Sequence, residues 1–123
     1  MATIVHFDIG AEDPQRAKEF YEGLFNWKIV LLTGPVDYYW IETGDIDGEY
    51  GLTGGIAKRE PSDQGILNFI GVTSIDKYIK KVEELGGEVI ESKKVVPGSG
   101  YLAICRDTEK NVFGLWQDDM SAI

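Results

Sequence analysis

The chain opens with strictly alternating apolar and polar positions. Val5, Phe7 and Ile9 alternate with His6 and Asp8, which is the period-two pattern of a strand with one buried face. We therefore predict that the first strand packs its three apolar side chains on the core. The two polar side chains then lie on the opposite face.

A helical pattern follows this strand. Asp13 is suited to cap a helix, and Pro14 suits the first helical position. Apolar residues then recur at the spacing i, i+3, i+4 and i+7, at Ala17, Phe20, Tyr21 and Leu24. This spacing predicts an amphipathic helix whose buried face is made of those four residues.

The remaining elements fall into two similar halves. In the first half, strands are expected over residues 3–10, 27–32, 38–42 and 50–58, with a turn at 34–35 and a polar loop over 45–49. After a linker candidate at residues 59–65, the second half has strands expected over residues 66–72, 88–91, 101–106 and 112–117. Its helix is expected to be capped by Ser74, to bury Ile75, Ile79 and Val82, and to end at Gly86 and Gly87.

Both halves therefore have the order β-α-β-β-β, repeated after about 60 residues. We predict an α+β fold of two βαβββ modules in a single domain, with module 1 at about residues 1–60 and module 2 at about 65–120. The helices cover one face of a curved mixed sheet. The uncovered face is expected to form an open groove in which a ligand binds.

The net charge of the chain limits which classes of partner it can bind. The 123 residues include 21 acidic and 12 basic ones, for a net charge of −9. Phosphates must be met by Lys and Arg, so this balance argues against nucleic acid or an anionic membrane as a partner. The longest apolar runs have about five residues, far short of the roughly 20 that span a bilayer. The N-terminus has no signal-peptide pattern, so a cytoplasmic location is expected.

Several motifs along the chain have a familiar order. The first half contains His6, Asp13-Pro14, Phe20-Tyr21 and Phe25-Asn26-Trp27; the second contains Leu85-Gly86-Gly87 and the run Asp107-Thr108-Glu109-Lys110-Asn111-Val112-Phe113. Together they resemble the vicinal oxygen chelate superfamily, which includes glyoxalase I, bleomycin-resistance proteins and extradiol dioxygenases. The resemblance implies the predicted fold. It also implies a homodimer, because relatives often build their grooves across subunits.

The resemblance implies a metal site that this chain retains only in part. Family ligands are His, Glu or Gln on the first and fourth strands of each module. His6 matches the first position, but residues 51–57 hold no such side chain, and Leu67 and Gly114 stand at the other two positions. Asp8 can supply a second donor, still fewer than the three or four that such sites need. We expect no cofactor, and a divalent ion (Ni, Zn, Mn or Fe) stays the alternative.

Four residues are the candidates for the site. Strand parity places His6, Asp8, Phe69 and Trp116 in the groove. His6 is the candidate catalytic residue, because imidazole can act as an acid or base near neutral pH. The other three are candidate ligand-binding residues. The alternatives are a histidine held by hydrogen bonds without a further role, and aromatic side chains engaged in ordinary packing.

These observations lead to three hypotheses. The first is a glyoxalase/bleomycin-resistance-like protein that binds a small organic molecule in the groove without the full metal site. The second is a metal-dependent lyase or isomerase of the glyoxalase I (lactoylglutathione lyase) type. The third is an interaction domain with no ligand. Whether a reaction is catalysed stays open. The single cysteine, Cys105, is expected to be a buried, inert thiol.

Overall fold

The computed structural model describes residues 2–34, 37–46, 49–59 and 65–123. Its contacts divide the chain into two compact units. The N-terminal unit comprises residues 6–67, and the C-terminal unit comprises residues 1–5 and 68–123. None of the helices in the described residues has the length and apolar character needed to cross a bilayer.

Twelve elements occur in the described part of the chain. They are β1 (Thr3–Ala11), α1 (Pro14–Phe25), β2 (Lys28–Leu32), β3 (Tyr38–Glu42), β4 (Asp45–Ile46), β5 (Glu49–Tyr50), β6 (Thr53–Lys58), β7 (Ile66–Gly71), α2 (Ile75–Glu84), β8 (Glu88–Val96), β9 (Gly100–Arg106) and β10 (Val112–Asp118). Apart from the short strands β4 and β5, each half has the predicted order β-α-β-β-β.

Both units pair their strands in the same way. The N-terminal order is β2-β3-β6-β1, and the C-terminal order is β7-β10-β9-β8. In each order the pair that includes the first strand of its half, β1–β6 or β7–β10, is parallel, and the other pairs are antiparallel. Eight strands with mixed pairing and two helices confirm the predicted α+β class.

The core of the N-terminal unit lies between α1 and one face of its strands. Ile41 and Ile56 are fully buried there. Phe7 and Ile9 pack against this cluster, which confirms two of the three apolar positions predicted for the first strand. Because side chains alternate along a strand, His6 lies on the opposite face.

The core of the C-terminal unit follows the predicted stripe of α2. Ile75 is fully buried, and Ile79 and Val82 pack against the same cluster. Ser74 caps the helix, since its side chain accepts a hydrogen bond from the backbone N–H of Lys77. Cys105 is buried in this core, and burial raises the pKa of its thiol, which keeps the thiol protonated and unreactive.

The buried face predicted for α1 is wrong in two of its four positions. Ala17 and Tyr21 pack against the core, but Phe20 is 60% exposed and Leu24 is 58% exposed. Tyr21 stacks on Trp27 with ring centroids 5.4 Å apart. Ala17, Tyr21 and Trp27 make the contacts with the core, and the two larger side chains stay outside it.

Two strand boundaries also differ from the prediction. The polar loop expected over residues 45–49 overlaps the antiparallel strand pair β4–β5, and β6 begins at Thr53. Strand β8 extends to Val96, past the expected end at residue 91. Register shifts after Val89 and after Glu91 interrupt its alternation while its pairing with β9 continues.

Three predicted segments lie partly outside the described residues. They are the turn at 34–35, the loop at 45–49 and the linker at 59–65, which include residues 35, 47–48 and 60–64.

The buried stripe of α2 can be tested by truncation. Ile75→Ala is expected to lower the free energy of unfolding by about 2–5 kcal/mol, because it leaves a cavity in a packed core. Leu85→Ala is the matched control, since Leu85 is 78% exposed and should change stability by less than about 0.5 kcal/mol. Urea denaturation followed by circular dichroism measures both. Equal losses would contradict the assignment of the core.

Candidate functional site

Four polar side chains meet on the face of the N-terminal unit that α1 does not cover. In the parallel pair β1–β6, His6 is in register with Thr53, and Asp8 is in register with Gly55. In the antiparallel pair β3–β6, Trp40 is in register with Gly55. Side chains in register share a face, so Trp40 and, two residues away, Tyr38 lie on the same face as His6.

His6, Asp8, Tyr38 and Thr53 form one hydrogen-bonded group, here called the His6 cluster. The two ring nitrogens of His6 contact two hydroxyl groups, with Nδ1 2.9 Å from Thr53 Oγ1 and Nε2 2.8 Å from Tyr38 Oη. Tyr38 Oη also donates a hydrogen bond of 2.5 Å to Asp8 Oδ1. The same carboxylate oxygen lies 3.2 Å from His6 Nε2.

The partners determine which atom donates in each contact. The hydroxyl of Tyr38 has one proton, which it gives to the carboxylate of Asp8. At the second contact of this hydroxyl, His6 Nε2 must therefore donate. A neutral imidazole with a proton on Nε2 accepts at Nδ1, so Thr53 donates there. Protons thus point in one direction, from Thr53 to His6 to Tyr38 to Asp8.

Gly55 allows Tyr38 to reach the cluster. Tyr38 lies on β3 and its partners lie on β1, two strands away, which is a distance of about 10 Å. The phenol crosses this distance by lying directly over Gly55, where any Cβ would overlap the phenol ring and its hydroxyl oxygen. A residue larger than glycine at position 55 would therefore exclude the phenol from its place.

The environment of Tyr38 keeps its hydroxyl protonated. Burial raises the pKa of this phenol well above its ordinary value, and the negative charge of Asp8 and the hydrogen bond to it act in the same direction. Tyr38 is therefore a hydrogen-bond donor throughout the physiological pH range, and the carboxylate of Asp8 is its acceptor.

An aromatic ring borders the cluster. The Trp40 ring stacks on the His6 imidazole with centroids 5.3 Å apart and an interplanar angle of 29°. The side chain of His6 is 18% exposed and that of Asp8 is 27% exposed. A flat apolar surface and a polar edge thus lie side by side, which is the combination that orients small organic ligands.

The His6 cluster does not supply the ligand set of the divalent metal that the family resemblance implies. Within the described residues, no three His, Cys, Asp or Glu side chains are grouped so that they can hold an ion. His6 and Asp8 supply two donors, and the other two members of the cluster are hydroxyl groups that contact both ring nitrogens. Metal sites of this kind use three or four protein donors.

The two aromatic candidates lie in the C-terminal unit. Phe69 is 7% exposed, and its ring covers Gly114, with which it is in register. The indole N–H of Trp116 donates to Asp118 Oδ1 at 2.6 Å. Their assignment as ligand-binding residues stays a prediction, as does that of His6 and Asp8.

Three residues of the site did not emerge from the sequence patterns. Tyr38, Thr53 and Gly55 carry no motif of their own. The alternation along β3 is a usable signal, because it separates Tyr38 and Trp40 from the core residue Tyr39. The reach of Tyr38 across β6 depends on strand register, which the sequence pattern does not supply.

Comparison with known proteins identifies the family. Residues 3–115 match the family model described as Glyoxalase/Bleomycin resistance protein/Dioxygenase superfamily. The chain therefore belongs to this superfamily, as its motifs predicted.

Two curated relatives are anthracycline biosynthesis proteins. DnrV from Streptomyces peucetius is 27% identical over an alignment of 124 residues. The alignment covers 90% of this chain and 45% of the relative. DauV from Streptomyces sp. (strain C5) has the same identity and coverage. The chain thus spans about half the length of the curated relatives it matches.

Solved structures show the same fold. The hypothetical protein BH1468 from Bacillus halodurans C-125 has a TM-score of 0.70 at 19% identity, covering 99% of this chain and 98% of that one. A Streptomyces coelicolor methylmalonyl-CoA epimerase has a TM-score of 0.71 at 13% identity, covering 98% and 97%.

The position of the Tyr38 phenol can be tested at Gly55. Gly55→Ala is expected to lower the free energy of unfolding by about 1–3 kcal/mol, because the added methyl group displaces a packed ring. Gly23→Ala is the control, since nothing lies within 4 Å of a Cβ there. In the interior of α1 it should be neutral or stabilise by up to about 1 kcal/mol. Similar effects of the two substitutions would contradict the described contact.

Proposed function

We propose that this chain binds a small, planar organic molecule on the face that carries the His6 cluster and Trp40, and that it does so without the metal of its superfamily. The observation that supports this most directly is the engagement of both His6 nitrogens by hydroxyl groups. The cluster is a complete hydrogen-bonding unit rather than an incomplete metal site.

The polar edge of the cluster can orient such a ligand. Among the described residues, both polar contacts of Asp8 are made through Oδ1. Its second carboxylate oxygen, Oδ2, can accept a hydrogen bond from a ligand hydroxyl group. The neighbouring Trp40 ring offers an apolar surface for a flat molecule, and such aromatic contacts contribute about 0.5–1.5 kcal/mol beyond area burial.

The relatives suggest a class of ligand. The two curated relatives are named for anthracycline biosynthesis, and anthracyclines are planar polycyclic compounds with hydroxyl and ketone groups. Such a compound matches a flat aromatic surface beside a carboxylate. We therefore propose a hydroxylated polycyclic ketone as the ligand class.

A metal-dependent lyase of the glyoxalase I type is the weaker alternative. It requires donors that the described residues do not group together. The methylmalonyl-CoA epimerase structures share the fold at 13–15% identity, and a shared fold at this identity does not extend to their chemistry. We propose a binding function only, without a reaction.

We also propose that the protein is located in the cytoplasm, which the free, buried thiol of Cys105 supports.

We also propose that the chain forms a homodimer through the outer side of α1. Phe20, Leu24 and Phe25 are each more than half exposed, and grouped apolar side chains of this kind mark protein contacts.

Leu24→Lys is expected to convert a dimer into a monomer in sedimentation velocity, because it places a charge in the contact. Gly23→Ala, one position away, should leave the dimer intact. A wild-type monomer at micromolar concentration would contradict this proposal.

The ligand proposal can be tested with 1-hydroxyanthraquinone and untagged protein in the presence of EDTA. Isothermal titration calorimetry is expected to show saturable binding of about one molecule per chain. Trp40→Ala should weaken it about tenfold, which corresponds to 1.4 kcal/mol. Trp27→Phe is the control, because Trp27 packs in the core on the other face.

Absence of binding by the wild-type protein would contradict the proposed ligand class. Binding that appears only after a divalent metal is added would contradict the metal-free site. Binding that is unchanged in Trp40→Ala would place the ligand on another surface.

A further inference from the structure

The Tyr38 hydroxyl lies between the two side chains that a metal ion would otherwise bridge. Its oxygen is 2.8 Å from His6 Nε2 and 2.5 Å from Asp8 Oδ1, and these two atoms are only 3.2 Å from each other. Two metal ligands at about 2.1 Å from a shared ion are separated by a similar distance. The three atoms form a triangle, so the hydroxyl occupies a position from which an ion could contact both donors.

We propose that Tyr38 takes the place of the metal in this chain: its hydroxyl, held between His6 and Asp8, determines the specificity of the site by closing it to divalent cations. The consequence for ligands rests on the proposed function, whereas the exclusion of metal does not. The assignment goes beyond a missing ligand set, because it names the side chain that prevents His6 and Asp8 from acting together as metal donors.

Three features keep Tyr38 in this place. Gly55 has no Cβ, which leaves space for the phenol to cross β6. The carboxylate of Asp8 accepts its proton in a short charge-assisted hydrogen bond. Thr53 holds the other ring nitrogen of His6, so the imidazole is fixed in the orientation that directs Nε2 at Tyr38.

This replacement changes which ligands the site can distinguish. A divalent ion gains from two neighbouring oxygens on one ligand, because both can coordinate it at once. A phenol and a carboxylate contact ligand atoms through single hydrogen bonds instead. We therefore expect the site to accept compounds with one suitably placed oxygen as readily as compounds with a vicinal pair.

The experiment introduces a third metal donor and measures whether the Tyr38 hydroxyl still prevents Zn²⁺ from binding. Thr53→His places a second imidazole in register with His6. Zn²⁺ is titrated calorimetrically into four untagged, EDTA-stripped proteins: the wild type, Thr53→His, Thr53→His with Tyr38→Phe, and Thr53→His with Tyr39→Phe. Tyr39 is the matched control, because it precedes Trp40 on the opposite face of the same strand.

The wild type is expected to show no saturable Zn²⁺ site. Removing the Tyr38 hydroxyl from Thr53→His should increase its Zn²⁺ affinity at least tenfold, whereas Tyr39→Phe should leave that affinity unchanged. Circular dichroism confirms that each protein is folded, and Tyr38→Leu replaces Tyr38→Phe if that variant does not fold.

Two results would overturn the proposal. The first is equal Zn²⁺ affinity with and without the Tyr38 hydroxyl, including no binding in either protein. The second is binding of about one Zn²⁺ by the wild type that His6→Gln abolishes. Titration of the metal-free wild type with 1-hydroxyanthraquinone tests the proposed function separately, so failure of one proposal is distinguishable from failure of the other.

Discussion

The arrangement of the candidate site depends on the hydrogen bond from the Tyr38 hydroxyl to the carboxylate of Asp8. This contact consumes the one proton of the phenol, so His6 must donate from Nε2. In the neutral imidazole, Nδ1 is then an acceptor for Thr53. One donor–acceptor pair thus sets the tautomer of the histidine and the direction of every other hydrogen bond in the cluster. It also places the Tyr38 oxygen between the two potential metal donors.

Glycines beneath aromatic rings make such contacts possible in both units. Gly55 accommodates Tyr38 in the N-terminal unit, and Gly114 accommodates Phe69 in the C-terminal unit. In each case a ring covers backbone where a side chain would otherwise project. Each of these glycines leaves space for an aromatic ring over its strand. The glycines of β6 weaken its sequence pattern as a strand, although Gly55 is what allows the site to form.

The sequence patterns predicted most of the fold. Alternation assigned Phe7 to the core and His6 to the other face, and capping residues located both helices. Helical spacing misplaced Phe20, because periodicity defines a face but not how much of it the strands contact. The site was predicted only in part: alternation identified His6 and Asp8 as neighbours, whereas Tyr38 and Thr53 join them through pairings between strands that are distant in sequence.

The most direct test is the protonation pattern of the single histidine of this chain. With ¹⁵N-labelled histidine, long-range ¹⁵N–¹H correlation spectra report each ring nitrogen and whether it carries a proton. We expect a proton on Nε2, none on Nδ1, and unchanged signals after Zn²⁺ is added. A proton on Nδ1, or a ring nitrogen signal that shifts with Zn²⁺, would contradict this expectation.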